Sequence, residues 1–103
     1  MSQTYFLKLI GPRPTFGFDM TADERALMMQ HVTYARQAFA DGKLLAFGPV
    51  LYPDDTFGMA VMQAANEDEV KAFIANDPTV QAGMNRYTYA PMHLGGAQAP
   101  RAS

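Results

Sequence analysis

Thr56-Phe57-Gly58-Met59-Ala60-Val61-Met62-Gln63-Ala64 is the stretch from which the architecture is read. In an extended chain Phe57, Met59 and Val61 point to one side and Gly58, Ala60 and Met62 to the other, so neither face of this strand is suited to water. Leu44 to Val50 shows the same lack of a polar face. Between the two runs, Tyr52-Pro53-Asp54-Asp55 has the proline and aspartates of a turn, so together they read as a hairpin. A monomer with helices on one side of a sheet would leave one of these faces wet. A second subunit stacked on the open face removes the conflict, and the symmetric dimer is the commonest oligomer.

Upstream, residues 4–10 are β-branched, aromatic and aliphatic and are stopped by Gly11-Pro12, which makes them a strand. Gly11 to Met20 has no period and reads as an apolar loop. Its Arg13 and its exposed-looking Phe16 and Phe18 are expected to form one wall of a ligand pocket. Thr21-Ala22-Asp23-Glu24 is a capping box that starts a helix. At 3.6 residues per turn Leu27, Met28, His31, Tyr34, Ala35, Ala38 and Phe39 share one face, opposite Arg25, Thr33, Arg36 and Gln37. Gly42 is placed to close this helix in the left-handed conformation.

Downstream, Asn66 and Glu69 repeat the cap pattern before a short amphipathic helix containing Val70, Phe73 and Ile74, which cannot run far past Pro78. Residues 85–92 alternate weakly, carry two tyrosines and make a last strand. The order strand, helix, strand, strand, helix, strand is the split βαβ arrangement of ferredoxin-like α+β domains. It predicts a four-stranded antiparallel sheet with both helices on one face. A single domain is expected over residues 1–94, followed by a Gly-, Ala- and Pro-rich disordered tail over 95–103.

Composition narrows the function classes. At 103 residues, 49% hydrophobic and 17% charged, the chain fits one domain. Eight Lys+Arg against ten Asp+Glu give a net charge of -2, with no basic stripe for a phosphate backbone, so no nucleic-acid partner is expected. The absence of cysteine removes thiolate catalysis, disulfides and Cys-ligated metals. With His31 and His93 the only histidines and no HExxH pattern, neither a metal nor another cofactor is expected. No stretch approaches the ~18 apolar residues of a membrane span. Met1-Ser2-Gln3-Thr4-Tyr5 does not open a secretory signal, so a cytoplasmic protein is expected.

Few residues remain to carry chemistry. His31 lies on the apolar helix face between Leu27 and Ala35, where it is either a core histidine satisfied by a backbone carbonyl or a general acid/base. Asp77 directly precedes Pro78 and reads either as a turn initiator or, near the negative end of a helix, as a carboxylate needing a partner such as His31. Arg13, held between Pro12 and Pro14, is either a solvated cation or a grip for an anionic ligand oxygen. Tyr34 either turns its hydroxyl into the same cavity or is core with a wet tip. Met28, Met59 and Met62 are taken as packing.

The chain resembles the YCII-related family from Tyr5 to Met92. The resemblance rests on Pro12-Arg13-Pro14-Thr15-Phe16, on Glu24 with the run Met28 to Tyr34, and on Phe47-Gly48-Pro49-Val50, Gly58, Asn76-Asp77-Pro78 and Tyr89-Ala90-Pro91-Met92. It implies a dimeric α+β barrel and a cleft with a His–Asp pair, at His31 and Asp77. The function implied is a cofactor-independent enzyme doing lyase- or isomerase-type acid–base chemistry on a small cyclic or aromatic molecule. Arg13, Phe16 and Tyr34 would be its substrate-binding residues. The alternative is a non-catalytic binding or sensing module, because a fold does not specify an activity.

Overall fold

Leu7, at the middle of the first strand, has no exposed surface, and the rest of the domain is arranged around it. The computed structural model describes residues 2–101. It runs β1 (Gln3–Ile10), α1 (Phe16–Asp19), α2 (Ala22–Ala40), β2 (Leu44–Tyr52), β3 (Asp55–Ala64), α3 (Glu67–Ala75), α4 (Pro78–Gln81) and β4 (Arg86–Met92). The sheet order is β2-β3-β1-β4 and every neighbouring pair is antiparallel. This is the expected α+β architecture, with two short helices added.

The register sorts the side chains. Leu7 pairs with Ala60 on one side and Tyr89 on the other, so Tyr5, Leu7, Leu9, Ala60, Met62, Tyr87 and Tyr89 share one face. That face carries the core with Ala35 and Ala38 of α2 and Val70 and Phe73 of α3. Truncating Leu7 to alanine would cost about 2–5 kcal/mol, because the wholly enclosed site has little room to collapse. The opposite face holds Phe6, Lys8, Ile10, Val50, Phe57, Met59 and Val61, and among the described residues no helix covers it. Lys8 lays its ammonium over the Phe57 ring at 4.5 Å, so this cation rests on apolar surface.

Helix boundaries follow the local chemistry. Thr21 Oγ1 accepts from the Glu24 N–H at 3.2 Å and Glu24 Oε1 accepts from the Thr21 N–H at 2.9 Å, completing the capping box. Gly42 follows α2 at φ +79°, where a side chain would be strained. Asn66 caps α3 through the Glu69 N–H.

Three expectations are corrected here. Gly11 to Met20 is not wholly irregular: it contains the turn of helix α1, and Phe16 is buried while only Phe18 stays exposed. The cause is Gly11, where a Cβ would stand 2.7 Å from Phe16 Cδ2, so only glycine lets the ring fold back onto the chain. Phe39, expected on the buried face of α2, is 52% exposed and tilts against Phe47 with ring centroids 5.9 Å apart. The third is α4, whose N-cap is Asp77. Of the expected tail, residues 95–101 are exposed and carry no regular secondary structure, and 102–103 lie outside the described residues.

Candidate active site

α2 does not lie flat on the sheet. Between it and the β2–β3 half is a cavity of about 570 Å³, lined by Met28, His31 and Ala35 of α2, Phe47 and Gly58 of the sheet, and Phe16 of α1. Tyr87 and Asn85 close it from the β4 side. The Gly11 to Met20 segment supplies one wall. Arg25 and Arg36, assigned above to the polar side of α2, also line the cavity, because the cleft runs along the helix flank. Met28, taken above as packing, is a lining residue as well.

The structure brings His31 and Asp77 together: His31 Nδ1 stands 2.7 Å from Asp77 Oδ2. Asp77 is wholly buried and His31 keeps 16% of its side chain exposed. Both local readings of Asp77 hold at once. Pro78 keeps its predecessor extended (ψ 126°) and occupies the first turn of α4, so the Asp77 carboxylate caps that helix while facing His31.

Four donors surround this carboxylate. Oδ1 accepts from the Thr79 N–H at 2.8 Å and the Thr79 hydroxyl at 2.7 Å, and Oδ2 accepts from the Tyr87 hydroxyl at 2.5 Å besides meeting His31. Burial alone would push the Asp77 carboxyl up, but the hydrogen bonds from His31, Tyr87 and Thr79 outweigh it and hold the group down at about 2. Burial, reinforced by the bond to Asp77, pushes the Tyr87 phenol far up, so it stays a neutral donor.

An ionised carboxylate is acceptor-only, which fixes the tautomer of a neutral His31: Nδ1 must carry the proton. Nε2 then keeps its lone pair, and among the described residues it has no protein partner. The arrangement is an oriented base with a buried counter-charge, in reach of a cavity large enough for a small ring.

The other expected site residues are placed differently. Phe16 lines the cavity. Arg13 does not: its Nε donates to Asp19 Oδ1, Nη1 to Glu24 Oε2, and Nη2 to both Asp19 O and Glu24 Oε1, at 2.7–3.0 Å. Four of its five N–H groups are thereby engaged, so the fork ties α1 to the first turn of α2 instead of facing a ligand. The hydrogen bond from Arg13, then that from the Thr21 backbone, holds Glu24 at about 2. Tyr34 stacks on Phe73 and donates its hydroxyl to the Phe73 carbonyl at 2.6 Å. It lines a separate recess with Lys43 and Glu69, on the far side of Phe73 from the cavity. Burial, then the Asp77 charge, pushes the Tyr34 phenol up to about 12.

Sequence reasoning missed Tyr87, Thr79 and Asn85. Alternation along residues 85, 87 and 89 was the available signal for Tyr87, and for Asn85 just ahead of the strand, since it turns both to the helix-covered side. Among the described residues no cluster of three or more His, Cys, Asp or Glu is placed to hold a metal ion, and no helix is long and apolar enough to cross a membrane.

The family model of the YCII-related domain matches residues 5–93. The structure of 5-chloro-2-hydroxyhydroquinone dehydrochlorinase (TftG) from Burkholderia phenoliruptrix AC1100, in complex with 2,5-dihydroxybenzoquinone, is similar at 25% identity and a TM-score of 0.67, over 88% of this chain and 95% of that one. An uncharacterized protein from Thermotoga maritima, at 12% identity and a TM-score of 0.56, matches over 90% of this chain and 100% of its own. The fold is that of the YCII-like dimeric α+β barrel proteins. No curated protein matches the chain.

Proposed function

The chain belongs to the YCII-related family, and on that footing we propose that it is an enzyme that moves protons on a small hydroxylated or quinonoid ring. The observation that carries this reading is the 2.7 Å contact between His31 Nδ1 and Asp77 Oδ2, which leaves Nε2 toward a cavity of about 570 Å³. His31 Nε2 takes a proton from a substrate O–H or activated C–H. The electron pair of the broken bond stays on the substrate, and the proton is returned in the completing step. Asp77 touches no substrate: it keeps the imidazole in the tautomer that exposes Nε2 and stabilises the imidazolium as it forms. The aromatic and aliphatic lining, including Phe16, Phe47 and Phe73, suits a flat ring. The neighbour from Burkholderia, which acts on a chlorinated hydroxyhydroquinone, supports that substrate class.

The reading includes a homodimer. The open sheet face of Phe6, Phe57, Met59 and Val61 gains a cover when two copies stack, which is what a half-buried apolar face needs.

A panel of hydroxylated benzenes and quinones, 2,5-dihydroxybenzoquinone and 5-chloro-2-hydroxyhydroquinone among them, tests the activity. Binding is followed by thermal shift, and turnover by chloride release or by deuterium uptake at ring carbons in D₂O. Turnover that disappears in His31→Gln, with the fold retained, is the expected result. Binding at the cavity with equal exchange rates in both proteins would establish a binding module instead.

A further inference from the structure

Asn85 lies one residue before β4 and two before Tyr87, and it is 6% exposed. Its Oδ1 is buried with no hydrogen-bond partner among the described residues. Native interiors seldom leave a side-chain acceptor unpaired, and where they do the atom calls for an explanation, a role at a functional site or a bound group among them. The other end of the amide is hardly better served, since among the described residues Nδ2 donates only to Met28 Sδ, at 3.2 Å, and a thioether is a weak acceptor. Asn85 and Met28 both line the cavity that His31 faces.

We propose that Asn85 is a specificity residue of this cavity and that its amide hydrogen-bonds a hydroxyl of the bound ring. The inference deepens the reading above and rests on it. A hydroxyl both donates and accepts, so it serves the amide in either orientation about the Cβ–Cγ bond, and the only side-chain contact given up by turning is the one to sulfur. The position is also suitable. Met28, which meets the amide, stands three residues before His31 on α2, so both residues are on one side of that helix and Asn85 and His31 line the same cavity. A ring with one polar substituent at His31 Nε2 would then present a hydroxyl on its far side to Asn85. A ring lacking that hydroxyl would leave the amide unpaired, which makes the residue discriminate instead of merely bind.

Hydroquinone and 4-fluorophenol form the test pair, being similar in shape and differing by one hydroxyl. Binding is measured by NMR titration of the intact protein under reducing conditions. The wild type is expected to prefer hydroquinone by about tenfold, the usual worth of one buried hydrogen bond. Asn85→Leu, close in volume, is expected to bring the two probes to parity while keeping its affinity for 4-fluorophenol. If Asn85→Leu does not fold, the wild type alone decides. Its Asn85 side-chain amide signals should move with hydroquinone and stay still with 4-fluorophenol. An unchanged preference in the variant, or an amide signal indifferent to hydroquinone, overturns the role of Asn85 while signals of His31 and Tyr87 still report a bound ring. No response of His31 or Tyr87 to either probe overturns the reading of the cavity, and this inference with it.

Discussion

Replacing Asp77 by asparagine removes one charge and keeps the size, and the structure says what that costs and at which pH. The carboxylate accepts four hydrogen bonds and is wholly buried, so solvent screening does not discount its interactions. Its pKa falls from 3.8 to about 2 on folding, a little under two units, which is roughly 2–3 kcal/mol at 1.36 kcal/mol per unit. Because the folded value is the lower one, this stability is fully present above the unfolded pKa near 4. It is lost as pH falls through about 2. Asp77→Asn forfeits it at neutral pH and also turns an amide N–H₂ toward two donors, His31 and Tyr87, so a loss of about 3 kcal/mol is expected there. For a domain of this size that is a fall in melting temperature on the order of 10–20 °C, within what a marginally stable protein survives. Urea unfolding followed by circular dichroism, at fixed protein concentration from pH 6 down to pH 2, gives both curves. Subtracting them removes the acid response of Glu24 and Asp19, which both proteins share. The gap should shrink by roughly 2–3 kcal/mol over that range. A gap constant with pH would refute the claim that the folded state holds Asp77 ionised through these bonds.

Tyr87→Phe deletes one donor to Asp77 Oδ2, so it should destabilise by about 1.5–3 kcal/mol and move the acid loss of stability to higher pH. Equal acid midpoints in variant and wild type would place the Tyr87 bond outside the network. Arg13→Ala should lower the melting temperature by freeing α1 from α2, while ring ligands bind the cavity with unchanged affinity. A selective loss of ligand affinity would return Arg13 to the site. Met59→Asp puts a charge on the open sheet face, and light scattering should fall from twice the 11.3 kDa chain mass to one chain. A monomeric wild type at micromolar concentration contradicts the pairing of sheets.

Much of the fold was legible because its signals are local. The capping box, the glycine after α2 and the Pro-Asp turn each state a backbone geometry within four residues, and the alternation of Phe57 to Met62 gives a whole strand two apolar faces. The His31–Asp77 pair was legible chiefly through the family resemblance. An imidazole on an apolar stripe and a carboxylate at a helix end each suggest a partner, but spacing alone left both with a structural reading as well. What escaped the sequence depends on contacts between distant segments. Arg13 reads as a free cation until Glu24, eleven residues on, is seen folded back against it, and Tyr34 reads as a cavity hydroxyl until the Phe73 carbonyl is found in its way. Tyr87 sits on a strand whose alternation is weak, and the sheet register turns it toward α2. Asn85 lies just ahead of that strand, and its place in the cavity depends on the packing of Met28 against it.

The proposed chemistry turns on one proton. If Asp77 is an ionised acceptor holding His31, neutral His31 carries its proton on Nδ1 and offers Nε2 to the cavity. Long-range ¹H–¹⁵N correlation spectra of the histidine-labelled protein, recorded above the range where an ordinary histidine titrates, read which nitrogen is protonated. The wild type should show the Nδ1–H tautomer at His31, and Asp77→Asn should lose it. An Nε2–H tautomer in the wild type would contradict the account, because the ring would then have no base to offer a substrate.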